Sequence, residues 1–172
     1  MDSRKLVALR SGKSVKRFWR MSRTLFGSHF ILGMLLFIVC AHVFFTFSGI
    51  YWSADMRIDS LHIDKVLHMM GGFWVALLAL YMGRRFFGEP ALGARPLISF
   101  VLVLGIVALV GIIWELFEFS LDVFFASSNV PLQQGGLVDT MIDLIFDLLG
   151  GSLATFFCIR GVRRIQTLSF EE

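Results

Sequence analysis

At 172 residues with 56% apolar side chains, 19 Phe and a mean hydropathy of +0.75, the chain is too greasy for a soluble domain of this size, in which roughly 45–50% apolar is usual. Two cysteines without metal-type spacing, Cys40 and Cys158, exclude a disulfide framework or a zinc finger. The formal charge of +3 is a small balance between 16 cations and 13 anions that are strongly segregated along the chain, which argues against a nucleic-acid partner.

Residues 1–29 hold eight cations, from Arg4 to Arg23. Val15, Phe18, Trp19, Leu25 and Phe26 fall near one helical face there, which predicts an amphipathic interfacial helix on anionic lipid. Four apolar runs follow, at residues 30–52, 66–83, 97–119 and 138–159. Each has about the 17–25 residues needed to cross a hydrocarbon core ~30 Å thick. The first run exceeds a signal-peptide core and no A-x-A site follows it, so it reads as an uncleaved span. Trp52, Tyr81, Trp114 and Phe119 lie towards the run ends, as interfacial aromatics do. Residues 160–172 form a basic tail. The expected architecture is therefore an all-α, four-span membrane protein built as one transmembrane domain over residues 30–159.

Cations set the expected orientation. Eight precede span one, Arg84, Arg85 and Arg95 lie between spans two and three, and Arg160, Arg163 and Arg164 follow span four. Only Arg57 and Lys65 fall on the other side. The positive-inside rule then puts both termini in the cytoplasm of a multi-pass inner-membrane protein.

The acids carry the functional information. Taking each run's midpoint, His68 and Glu115 lie ~10 Å outward of centre and Asp143 ~8 Å, so three helices place an ionisable group in one layer. Glu118 and Asp139 lie ~15 Å out, and Asp147 sits near the midplane. Asp139, Asp143 and Asp147 form one stripe at i, i+4, i+8; Glu115 and Glu118 are i, i+3 neighbours; Asp64 lies one turn before His68. Ionised groups inside a membrane cost roughly 2.5–3.5 kcal/mol or more each, so they are kept where they act. Gly71, Gly72, Gly150, Gly151, Ser152 and Ala154 offer small surfaces for close helix contact. The expected result is a polar pocket open to the outer face, its carboxylates facing Arg57, His62, Lys65 and His68. Like charges at that density require either protonation of some or a bound cation.

Asp64-Lys65-Val-Leu-His68-Met-Met-Gly71-Gly72-Phe73, Trp114-Glu115-Leu-Phe-Glu118-Phe119 and Gln134-Gly135-Gly-Leu-Val-Asp139-Thr140-Met-Ile-Asp143, ending at Leu149-Gly150, resemble the YjdF-like family of small bacterial inner-membrane proteins. The resemblance covers about residues 60–155 and extends, more distantly, to VanZ-like proteins. Asp147 stands where YjdF-like chains usually carry a small apolar residue and VanZ-like chains Asn. The resemblance implies a multi-span fold with an outward acidic cluster in the cell envelope. It supplies no reaction, although VanZ-like proteins are associated with glycopeptide-antibiotic resistance.

Two functional readings follow from the residues. In one, the protein is a cation-dependent enzyme acting on a lipid-linked or envelope small molecule. Glu115, Asp139 and Asp143 then ligate Mg²⁺, Mn²⁺ or Zn²⁺, His68 is a ligand or acid/base, Glu118 is a base, and Asp64 and Asp147 support them. In the other, it is a non-catalytic binder or a small proton- or ion-coupled transporter, for which Asp147 suits a relay and homo-oligomerisation would enlarge the pathway. The bland alternative is structural: polar residues that join helices, with Asp139 as a first-turn anion on the span-four dipole. His29 and His42 read as ordinary histidines, with His42 still able to join the cluster across helices.

Overall fold

A hydrophobic run can become a helix of any orientation, so the first question is which faces of the runs meet. The structure, a computed structural model, describes residues 28–48, 57–87, 96–125 and 135–168. These form four helices: α1 (Ser28–Phe47), α2 (Arg57–Phe87), α3 (Pro96–Phe125) and α4 (Leu137–Leu168). No strand occurs among the described residues. All four helices are long and apolar enough to cross a membrane. The sequence-derived interfacial helix, Trp52 and most of the loop at residues 127–136 lie outside the described residues.

Three helices run past the apolar runs that predict them. Hydropathy marks where lipid begins, whereas a helix continues for as long as its backbone bonds are made. Thus α2 begins at Arg57, well before the run that opens at Val66, and carries Asp64 and Lys65 inside the helix rather than ahead of it. Towards the far end of α3, Ser120 lies within the helix and its hydroxyl donates to the Leu116 carbonyl (2.6 Å), so its polar group is satisfied one turn back. On α4 the helix continues through the basic residues after Ile159.

The inward and lipid-facing stripes are clearest on α3. Val103, Val107, Gly111, Glu115 and Glu118 are buried at three- and four-residue steps. Leu102, Leu109 and Leu116, seven residues apart on the other side, are exposed, as expected where hydrocarbon rather than water is the solvent. The apolar core is Val75, Ala76, Leu77 and Leu80 of α2 with Val103 and Val107 of α3 and Ala154 of α4. The most extensive contact is between α2 and α4, with α1 packed chiefly on α2.

The α2–α4 contact is close because both helices present glycine. A Cβ at Gly72 would overlap the Asp147 backbone, and one at Gly150 would overlap the Met69 carbonyl. With no hydrophobic effect acting between helices inside lipid, such backbone approach is what supplies packing energy. It also fixes the site, because Gly72 lies one turn beyond His68 and Gly150 one turn beyond Asp147.

Candidate functional site

The four helices bring their ionisable residues to one end of the bundle. They come from the C-terminal halves of α1 and α3 and the N-terminal halves of α2 and α4. His68, Glu115, Glu118, Asp143 and Asp147 are all buried, and Lys65 beside them keeps 5% of its surface.

His68 is the centre. Its Nε2 lies 3.8 Å from Asp143 Oδ1 and 3.9 Å from both Glu115 Oε1 and Asp64 Oδ1. Its Nδ1 faces Asp147 Oδ2 at 3.5 Å, the outer limit of a hydrogen bond. Four carboxylates from three helices thus surround one imidazole. The inferred layer of His68, Glu115 and Asp143 exists as a set of contacts, brought about by the inward stripes of α2, α3 and α4.

Lys65 organises the rest. Its ammonium donates to Asp64 Oδ2 (3.2 Å), Asp139 Oδ1 (2.6 Å) and Asp143 Oδ1. Lys65 is one of the counter-charges the sequence offers the pocket, and the early start of α2 places it on the buried side of that helix, three residues before His68. An ammonium with three carboxylate partners is a buried charge that satisfies the condition for being there.

Asp139 belongs to this Lys65 group and not with Glu115. Its other oxygen accepts the Gly135 N–H (3.0 Å) in the first turn of α4. Gly136, at φ +107°, makes the left-handed turn that allows this, and its carbonyl accepts the Thr140 N–H to open the helix. Of the set Glu115, Asp139 and Asp143 expected as metal ligands, Asp139 and Asp143 share the Lys65 ammonium, while Glu115 and Asp143 both face His68 Nε2. Among the described residues, the groups whose ligand atoms lie within 4.8 Å of one another are Asp64–His68–Asp143 and His68–Glu115–Glu118.

Glu118 is oriented by Trp114, whose indole N–H donates to Oε1 at 2.9 Å across one helical turn. Trp114 is thus a site residue rather than an interfacial aromatic. His42 of α1 joins from the other side, with Nε2 3.9 Å from Glu118 Oε1 and its ring edge-on to Trp114 at 5.2 Å. Of the two readings the sequence leaves for His42, the structure favours the cross-helix contact, which no spacing within α1 could reveal.

Asp147 is seated against glycine. A Cβ at Gly111 would come within 2.5 Å of its Oδ2, and one at Gly71 within 3.8 Å of its Oδ1. Two helices therefore give up a side chain at the place where this carboxylate meets His68. Its departure from the resembled pattern is accommodated by the fold.

Among the described residues, six carboxylates face the Lys65 ammonium and the His42 and His68 imidazoles; the side chains of Arg57 and His62, the other counter-charges expected from sequence, lie outside the described residues. Ligand atoms sharing an ion at ~2.1 Å lie about 3–4 Å apart, and the 3.8–3.9 Å separations around His68 Nε2 fall in that range.

Residues 7–164 match the family described as "Predicted membrane protein (DUF2238)". A stretch of 90 residues is 39% identical to an uncharacterised protein of Thermotoga maritima. That stretch is 51% of this chain and 42% of the relative, so the match spans less than half of the relative's length. No solved structure matches. With the family match running through all four helices, the chain is a multi-pass membrane protein and belongs to the DUF2238 family of predicted membrane proteins.

Proposed function

We propose that this protein is a cation-dependent membrane enzyme that acts on a lipid-linked or envelope substrate from the outer side of the bilayer. The observation that carries the reading is the His68–Glu115–Glu118 group, which is buried, drawn from two helices and clear of the Lys65 ammonium. One imidazole with two carboxylates suits Mn²⁺, Mg²⁺ or Zn²⁺. Asp147 behind His68 Nδ1 resembles the carboxylate–histidine arrangement that orients metal-binding imidazoles, and Trp114 holds Glu118 in the same way.

A bound divalent cation would supply Lewis acidity towards a phosphoryl or carbonyl oxygen. The chain's own residues supply the rest. Asp64, the least buried of the carboxylates around His68, takes the proton that the reaction releases. Lys65 holds Asp139 and Asp143 in place. The YjdF-like resemblance of residues 60–155 fits an envelope setting, while the VanZ-like one adds no support. The distribution of Lys and Arg supports an outward-facing cluster.

The alternative is a proton- or ion-coupled binder. One observation favours it: the carboxylates run in depth from Asp139 through Asp143 to Asp147 along α4, with His68 beside the inner pair.

Titration of purified protein with Mn²⁺ separates the readings. One equivalent bound by the wild type and by Asp139→Asn, and lost in His68→Ala and Glu115→Gln, is the expected result. Folded wild-type protein that takes up no Mn²⁺, Mg²⁺ or Zn²⁺ refutes the cation site. Proton-coupled uptake lost in Asp147→Asn would instead establish the relay.

A further inference from the structure

The cluster opens at its inner end onto a cavity of about 130 Å³ between α1, α2 and α3. Its wall is mostly hydrocarbon, including Leu35, Ile38 and Val39 on α1 and Val107 and Val110 on α3. His42, Asp64, His68 and Asp147 supply the polar end. Apolar cavities of ~150 Å³ stay dry and take up hydrocarbon ligands such as benzene. This one has a charged end as well, so it fits an amphiphile.

Its position says which amphiphile. Val39 and Val110 line the cavity yet keep 42% and 38% of their surface exposed. They stand near the middle of the α1 and α3 spans, so the opening between those helices faces the hydrocarbon of the bilayer. At that depth lipid chains are the only abundant solute. Helix α1 is fastened at both ends of the cavity. The Trp74 indole N–H donates to the Ile31 carbonyl (2.7 Å) at one end, and His42 meets Trp114 and Glu118 at the other. On α1 the lining runs from Leu35 to His42, seven residues of helix or a trough roughly 10 Å long. Leu32, Leu36, Phe37 and Val43, on other faces of α1, remain exposed to the bilayer.

From this we infer that the trough holds a segment of one hydrocarbon chain of a membrane lipid, entering sideways between α1 and α3, whose ammonium-bearing head lies at the acidic cluster. The charge surplus among the described residues selects the head: six carboxylates beside Lys65 and two imidazoles favour an ammonium over an anionic lipid. The inference names the substrate class for the proposed reaction and rests on that reading for the head alone; the chain site stands on the cavity.

Photocrosslinking in nanodiscs tests it. Phosphatidylethanolamine with a mid-chain diazirine is compared with phosphatidylglycerol carrying the same chain. The expected result is saturable labelling of α1 and α3 around Val39 and Val110 by the ethanolamine lipid, at least tenfold above the glycerol lipid. Val39→Trp and Val110→Trp, which fill the trough from partly exposed positions, should abolish that labelling, and Leu36→Trp on the outer face of α1 should leave it intact. Mn²⁺ binding is measured on the same samples and should persist in both filling variants, so that loss of the metal site and loss of the lipid site are read separately. Labelling that survives both filling variants, or that is equal for the two lipids, overturns the inference.

Discussion

Lys65 on α2 and Asp143 on α4, 78 positions apart in the chain, form a buried ion pair at the mouth of the acidic cluster. Asp143 retains only 2% of its surface, so this pair decides whether α2 and α4 can meet at that end at all. Removing one member of a buried pair strands the other and costs about 3–5 kcal/mol. Lys65→Met should therefore lower stability in micelles by that order, read from reversible denaturant unfolding. Adding Asp143→Asn to Lys65→Met should restore part of the loss. Strict additivity of the two changes would show that the residues are not coupled.

Two glycines are expected to fail in different ways. At Gly150 an added methyl meets the Met69 backbone, which cannot move without parting the helices. Gly150→Ala should cost about 3 kcal/mol or somewhat more, visible as a large drop in thermal midpoint. At Gly111 the obstacle is the movable tip of Asp147. Gly111→Ala should leave the protein folded, with a far smaller drop, and displace the carboxylate from His68. Reduced Mn²⁺ affinity at near-normal stability is the signature.

Orienting groups should tune the proposed cation site without abolishing it. Trp114→Phe keeps a ring against His42 but removes the donor to Glu118. Changes to such supporting hydrogen bonds typically cost 10–100-fold in metal affinity, and a loss of about that size is expected here and in Asp147→Asn. Unaltered Mn²⁺ affinity in both variants would mean that neither contact reaches the ligands.

Cation binding should weaken as pH falls. A ligating imidazole and its carboxylates must shed their protons to bind metal, so protons compete with Mn²⁺ and binding releases them. Paramagnetic titration from about pH 8 down to about pH 5, the range in which imidazole ordinarily charges, should show occupancy declining monotonically. A structural cluster that merely joins helices would show no Mn²⁺ occupancy to lose.

Orientation can be checked by thiol labelling. In a Cys40→Ala, Cys158→Ala background, Ser53→Cys and Ser128→Cys should react with impermeant maleimide added outside intact cells. Reaction only after lysis would place the acidic end in the cytoplasm and reverse the topology drawn from the cations.

The meeting of His68, Glu115 and Asp143 could be anticipated because depth in a membrane is nearly a function of sequence position. A helix rises by a fixed ~1.5 Å per residue between two surfaces that hydropathy locates. The i, i+4 stripe of Asp143 and Asp147 was readable for the same reason. What could not be read is rotation about each axis and the distance between helices. Lys65 is legible as a counter-charge, but not which carboxylates it reaches, and Trp114 stands near a run's end, where an interfacial aromatic is also expected. His42 had no ionisable neighbour on its own helix, and its partner Glu118 arrives from α3.

The linear chain by itself determined that there are four apolar helices and how far along each its ionisable groups lie, since both follow from local hydropathy and helical rise. Only the tertiary structure decided which carboxylates share a partner. Glycine-to-backbone contact between α2 and α4 sets how far apart their stripes lie, and at that separation the Lys65 ammonium reaches Asp139 and Asp143, while Asp143 also joins Glu115 around His68.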